Sequence, residues 1–146
     1  MKLSTKARYG MRAMLDLALH KDQSPVSLRD IAARQQLSLP YLEQLIGPLV
    51  ASGLVRSIRG PKGGVSLAKE PEQIKLTEIF QVLEGSLAPV ECVDDPNSCN
   101  RSEFCVTREV WSEVKQAVSA VLGSKTLGDL MERERAKASG ETMYYI

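Results

Sequence analysis

Ser38-Leu39-Pro40-Tyr41-Leu42-Glu43-Gln44-Leu45-Ile46-Gly47-Pro48-Leu49, followed beyond Gly53 by Leu54-Val55-Arg56-Ser57-Ile58-Arg59-Gly60-Pro61-Lys62-Gly63-Gly64-Val65-Ser66-Leu67-Ala68, decides the fold. Ser38 is a helix-capping residue, and Pro40 falls in a first turn, where no backbone N–H is missed. Leu42, Leu45, Ile46 and Leu49 recur at helical spacing as a buried stripe, and Gly53 closes the helix. Two short runs rich in branched residues follow, separated by a turn with three glycines and a proline. Upstream, Ser27 and Asp30 form a capping-box-like pair that opens a shorter helix with Leu28, Ile31 and Ala32 inward. Gln36-Leu37-Ser38 separates the two helices.

Two helices joined by so short a turn have helix-turn-helix geometry. Any helical hairpin would share that pattern, but the strand–turn–strand directly after the second helix reads as a wing. Before them, Ala7, Met11, Met14, Leu15, Ala18 and Leu19 predict a first helix over residues 5–20, with Arg8, Arg12 and Asp16 on another face. The predicted class is mainly α with a small β wing: a winged helix-turn-helix domain over residues 1–84, including a fourth helix from Thr77 to Glu84 stopped by Gly85.

The second half is organised differently. Residues 85–104 form an aperiodic loop containing cysteines. Asn100 and Glu103 read as a capping pair for a long helix whose Val106, Val110, Val114, Val118, Val121, Trp111 and Leu122 form an extended apolar stripe. On so small a chain such a stripe needs a partner, and the expectation is the same helix of a second subunit, giving a homodimer. Residues 105–137 thus comprise a dimerisation helix and a charged terminal helix from Thr126 to about Lys137. Residues 138–146 are expected to be a flexible tail, with Tyr144-Tyr145-Ile146 able to dock.

Charge supports the division. The net charge is +1, yet residues 1–70 hold 11 Lys/Arg against 5 Asp/Glu and residues 71–146 hold 8 against 13. A basic first half suits double-stranded DNA as partner. No apolar run is long enough to span a bilayer, and the first residues lack the apolar core of a secretory signal, so the expected location is cytoplasmic and no membrane partner is expected.

In a helix-turn-helix the start of the second helix meets base edges, which here means Ser38, Pro40, Tyr41, Glu43 and Gln44. Gln44 can pair with adenine, whereas Glu43 accepts from cytosine and repels guanine edges and phosphates, making it a candidate discriminator. Arg59, Gly60 and Lys62 let the wing approach a phosphate or a minor groove. Lys6, Tyr9, Ser27 and Arg29, with Lys2 and Arg8, can reach backbone phosphates and set register. No acid and base pair lies in a recognisable catalytic frame, and the lone histidine, His20, reads as structural, so no enzyme is expected.

Cys92, Cys99 and Cys105 are the only cysteines, with six and five residues between them. Structural zinc takes four protein ligands, and a disulfide would leave one thiol over. Iron–sulfur clusters tolerate a different fourth ligand. The residues alone leave cluster, zinc and unliganded or redox thiols open.

Lys6-Ala7-Arg8-Tyr9-Gly10-Met11-Arg12-Ala13-Met14, Leu39-Pro40-Tyr41-Leu42-Glu43-Gln44-Leu45, Val55 through Gly64 and the cysteine triplet ending Cys105-Val106-Thr107 closely resemble the IscR-like family of winged-helix iron–sulfur regulators, over nearly the whole chain. The resemblance implies a homodimer with crossed long helices and a 2Fe-2S cluster, rather than 4Fe-4S, on Cys92, Cys99 and Cys105. It also implies control of cluster-assembly genes, with cluster-donor proteins as candidate partners. The Glu43 position would tune which DNA sites are accepted with and without the cluster. The family's histidine shortly after the last cysteine is Arg108 here, and arginine does not ligate iron at cellular pH. Nitric-oxide-sensing relatives use a first-helix carboxylate, where this chain has Arg8. The fourth ligand therefore falls to Glu103, Glu109, Thr107, a rearranged His20 or an exogenous molecule. The resulting expectation is a cluster-sensing regulator of pseudo-palindromic promoters. The alternatives are a thiol- or iron-responsive repressor without a stable cluster, and an iron–sulfur carrier or interaction protein.

Overall fold

The computed structural model describes residues 2–144. Helix α1 (Thr5–Leu19) begins at Ser4, whose hydroxyl accepts from the Ala7 N–H at 3.0 Å. Helices α2 (Leu28–Gln35) and α3 (Leu39–Ala51) are capped as their sequences predict, by Ser27 and by Ser38. Gln36 between them takes the left-handed conformation at φ 57°, which ends α2 and turns the chain toward α3.

Strands β1 (Val55–Ile58) and β2 (Gly64–Leu67) pair antiparallel, with Val55 opposite Leu67 and Ile58 opposite Gly64. Val26, just before α2, exchanges both backbone hydrogen bonds with Val65 at 2.8 Å and adds a one-residue third rung to the wing. A Cβ on Gly64 would run into the Val26 carbonyl, so glycine is what permits that approach.

Helix α4 (Leu76–Leu83) starts one residue earlier than the periodicity suggests, because Glu78 folds back to accept from the Lys75 N–H at 2.8 Å. The single-turn α5 (Glu91–Asp94) and a 3₁₀ turn at Pro96–Ser98 give the cysteine segment local order that its lack of periodicity did not announce. Asn100 and Glu103 do not cap the long helix. Residues 101–104 are a turn in which the Ser102 and Phe104 amides bond to the carbonyls of Cys99 and Arg101, and Cys105 becomes the N-cap of α6 (Val106–Gly123).

Helix α7 (Leu127–Tyr144) continues beyond Lys137, so residues 138–144 are helical where a flexible tail was expected, while Tyr145 and Ile146 lie outside the described residues. Its first turns belong to the body of the winged domain. Leu127 and Met131 are buried in the same core as Met14, Leu17, Ile31, Leu42, Leu49 and Ile79. The Leu127 amide bonds to Ile74 and the Leu76 amide to Lys125. Helix α6 has no buried residue among the described ones; it leans on α4 by one side and turns its other side outward.

The burial of α1 is rotated from the sequence expectation. Gly10, Ala13 and Leu17 are buried along with Ala7, Met14 and Ala18, whereas Met11, Leu15 and Leu19 lie at the core's margin. Asp16, placed on the polar face by pattern, is only 2% exposed. Arg34 and Gln35 at the end of α2 satisfy its carboxylate, which is why a charge is tolerated there.

Candidate nucleic-acid interface and cysteine segment

On α3, Pro40, Glu43, Gln44 and Gly47 form an exposed row opposite the buried Leu42, Leu45, Ile46 and Leu49. Ser38 caps this row by accepting from the Tyr41 N–H at 3.3 Å. Glu43 forms no ion pair among the described residues, leaving its carboxylate free for an outside partner. Tyr41 is half-buried, its ring meeting Tyr9 of α1 edge-on at 6.1 Å. Tyr9, expected to touch phosphate, thus also braces the start of α3.

Arg59, Gly60 and Lys62 are exposed at the wing tip, where Gly60 has φ 110° and its carbonyl accepts from Gly63 at 2.9 Å. The Val26–Val65 rung brings Ser27 to the wing's root. Its hydroxyl accepts from the amides of Arg29 and Asp30 and keeps its own proton to give. Arg29 and Lys6 are exposed. These side chains offer the donors and cations that a DNA backbone requires.

Cys92 lies in α5, Cys99 follows the 3₁₀ turn and Cys105 precedes α6; all three are free thiols, with Cys99 exposed and the others half-buried. Arg108, at the position where a histidine was sought, donates from Nε to the Cys92 carbonyl at 2.8 Å. Lys115 pairs with Asp94 at 2.6 Å, and Asp94 also takes the Ser86 hydroxyl. Two cations of α6 therefore hold the cysteine segment against that helix. The Thr107 hydroxyl lies 3.1 Å from the Cys105 sulfur and, with the Arg108 amide, holds this thiol below the usual range.

Glu103 and Arg108 line an open cavity of about 460 Å³ with Cys99. His20 is engaged elsewhere, its Nδ1 lying 2.8 Å from the Asp16 carbonyl. Among the described residues no three His, Cys, Asp or Glu side chains converge as a metal site. The donor chemistry nevertheless fits an iron–sulfur cluster in kind: three free thiols on one short segment, one with its thiolate favoured, and a carboxylate beside them.

An exposed row on α3, a cationic wing and a three-cysteine segment fixed to a long helix make up a winged helix-turn-helix architecture of the DNA-binding kind. Residues 3–133 match the Rrf2 family, described as iron-dependent transcriptional regulators, and the chain belongs to that family. Protein rrf2 of Nitratidesulfovibrio vulgaris is 44% identical over 131 residues, covering 90% of this chain and 87% of that protein. The structure of T. potens IscR superposes with a TM-score of 0.76 at 48% identity, covering 92% of this chain and 88% of that one. That of CymR, the global cysteine regulator of B. subtilis, gives 0.75 at 44% identity, covering 91% and 98%. The family resemblance read from the sequence is thereby shown.

Proposed function

We propose that this chain is a cytoplasmic homodimeric regulator that responds to iron–sulfur status through Cys92, Cys99 and Cys105 and controls cluster-assembly genes. The observation that carries the reading is the placement of all three thiols on one segment tied to α6 by Arg108 and Lys115. The likeness to T. potens IscR and the iron-dependent description of the family support it. Residues 1–84 bind pseudo-palindromic DNA, residues 85–104 together with Cys105 sense, and α6 assembles the dimer. A 2Fe-2S cluster held by the three thiolates would supply a redox-responsive group whose presence depends on iron supply.

The protein's own part is coupling. The cysteine segment is tied to α6, α6 packs on α4, and α4 packs on both α1 and α3. A change in the segment's order thereby reaches the recognition helices, by a coupling of about 1–3 kcal/mol, or roughly 5- to 150-fold in affinity. In anaerobically purified protein, the variant Cys92→Ala/Cys99→Ala/Cys105→Ala retains no stoichiometric iron and sulfide. Its affinity for at least one promoter shifts within that range. Equal affinities of the two proteins on every promoter tested would sink the coupling.

A second reading follows from the unconverged thiols and the likeness to CymR: a thiol-responsive regulator without a stable cluster. Colourless, iron-free wild-type protein whose DNA binding responds to oxidants would favour it.

Glu43 sets sequence choice in either case. Glu43→Ala relaxes discrimination at one base pair of each half-site by about 1–3 kcal/mol while tightening binding to mixed-sequence DNA, since a carboxylate no longer repels phosphate. Site selection from a random duplex pool reads this directly, and an unchanged consensus would count against the assignment.

A further inference from the structure

Helix α1 carries a chain of polar and aromatic contacts that leads from the buried Asp16 to the first turn of α3. Asp16 receives Arg34 Nη2 at 2.7 Å and Gln35 Nε2 at 2.9 Å. The other end of that amide, Gln35 Oε1, accepts from Arg12 Nε at 3.0 Å, and the Gln35 backbone carbonyl accepts from Arg12 Nη2 at 2.7 Å. Gln35 is the last residue of α2, and the next residue is the left-handed Gln36 that turns the chain. Arg12 therefore grips, from both side chain and backbone, the residue at which the helix-turn-helix turn begins.

The same guanidinium lies 5.0 Å from the centre of the Tyr9 ring, with that of Arg8 at 5.8 Å. Tyr9 meets the Tyr41 ring at 88°, the edge-to-face arrangement that a ring quadrupole favours. Tyr41 sits in the turn capped by Ser38. One side chain thus touches the end of α2 directly and the start of α3 through a single intervening ring.

We propose that Arg12, with the Tyr9 ring as its cation–π partner, is a positioning residue for DNA recognition, fixing the turn between α2 and α3 and the approach of α3's first turn. This rests on the reading that α3 meets DNA. Arg12 is exposed on the basic half of the chain, where pattern alone would assign it to phosphate. Two of its donors are already committed to Gln35, a paired grip that an ammonium group could not reproduce, and its charge lies over the Tyr9 ring.

The test compares full-length wild type, Arg12→Ala, Tyr9→Ala, Tyr9→Phe and Arg12→Ala/Tyr9→Ala on two probes. One is a duplex selected by the wild-type protein from a random pool, and the other is a scrambled duplex. Arg12→Ala and Tyr9→Ala each weaken binding to the selected duplex about tenfold, the low end for losing a charge-assisted pair at an exposed site. Arg12→Ala binds the scrambled duplex within about twofold of wild type with unchanged salt dependence, and Tyr9→Ala, which also removes a hydroxyl expected at phosphate, loses more on the selected duplex than on the scrambled one. Tyr9→Phe keeps ring face and edge and leaves the ratio of selected to scrambled binding as in wild type, while the double variant loses no more of that ratio than either single one, as expected of residues acting as a unit.

Hydrogen exchange of the free protein adds a readout that needs no DNA. Amides of residues 36–41 exchange at least about fivefold faster in Arg12→Ala, while those of mid-α1 do not change. Equal loss on both duplexes, with the salt slope reduced by about one, would make Arg12 a phosphate contact and overturn the proposal. Unchanged exchange over residues 36–41 would overturn it too. If the wild-type protein selects no duplex, the DNA reading fails, and exchange alone then judges the clamp.

Discussion

Val110→Asp converts the protein into a folded monomer whose affinity for a two-half-site promoter is at least about 100-fold lower. Phe104 is 84%, Val106 71% and Val110 47% exposed, and Trp111 and Val121 are exposed beside them. Val106, Val110 and Val121 fall along one side of α6, at intervals that bring residues four and fifteen positions apart into one row. Water against such a row is costly, and in the proposed dimer a second copy of the helix would remove it. A carboxylate in the middle of that contact would be desolvated without a partner, at a cost of several kcal/mol.

The loss of DNA binding follows from geometry. Two linked recognition helices convert the second half-site encounter into an intramolecular one, a gain of about 10²–10⁴-fold that a monomer forfeits. Because Val110 is already half exposed in the protomer, circular dichroism should show unchanged helix content. Light scattering reads the oligomeric state, and a promoter titration reads the affinity. A Val110→Asp protein that stays dimeric, or a monomer that binds as tightly as wild type, would remove α6 as the assembly helix.

Most of the winged domain was legible because its signals are local. Ser27 and Ser38 announce caps by chemistry, Leu42, Leu45, Ile46 and Leu49 announce a face by spacing, and the glycines of the wing announce a tight turn, though not the approach of Gly64 to Val26. The cysteine segment was legible as to residue type but not as to order. The turn of α5 is held by Ser86, Arg108 and Lys115, partners whose pairing no periodicity encodes, and the 3₁₀ turn by a local Asp95 cap. The Asn100–Glu103 capping pair failed for the opposite reason: its spacing is right, but the amides of Ser102 and Phe104 are taken by tight turns before a helix can start. The return of α7 to the core through Leu127 and Met131 was equally hidden, since a charged helix with two inward residues near its start looks solvated throughout. Asp16 is the sharpest case. Its burial depends on Arg34, eighteen residues away, and sequence spacing across two helices does not reveal such a pair.

Arg34→Ala should be the most destabilising single change at a polar position, because it strands the Asp16 charge. Burial pushes the Asp16 carboxyl upward, but the Arg34 hydrogen bonds, joined by Gln35, outweigh it and hold the group below the usual carboxylate range. The interaction therefore stabilises the fold fully above the unfolded carboxylate's pKa of about 3.9, and is lost as the pH falls through the lower folded value. Breaking a buried pair costs about 3–5 kcal/mol. Arg34 is itself 34% exposed, and solvent screening of that side lowers the expectation to about 2–3 kcal/mol. For a chain of this length the midpoint of thermal unfolding at pH 7 then falls by roughly 6–12 °C.

The pH dependence separates this mechanism from simple loss of packing. Without Arg34 its hydrogen bonds and charge no longer offset burial, so the Asp16 carboxyl titrates higher in the variant than in the wild type and the variant loses less stability on protonation. The difference between the two proteins narrows as the pH is lowered through the ordinary carboxylate range and below it, toward about 3, the remaining carboxylates being common to both. Adding Asp16→Asn to Arg34→Ala recovers part of the loss at pH 7, because the uncompensated charge is gone. Thermal melts of the three proteins across that range decide the matter. A pH-independent gap, or a double variant less stable than Arg34→Ala, would show that Arg34 acts by packing rather than by holding the Asp16 charge.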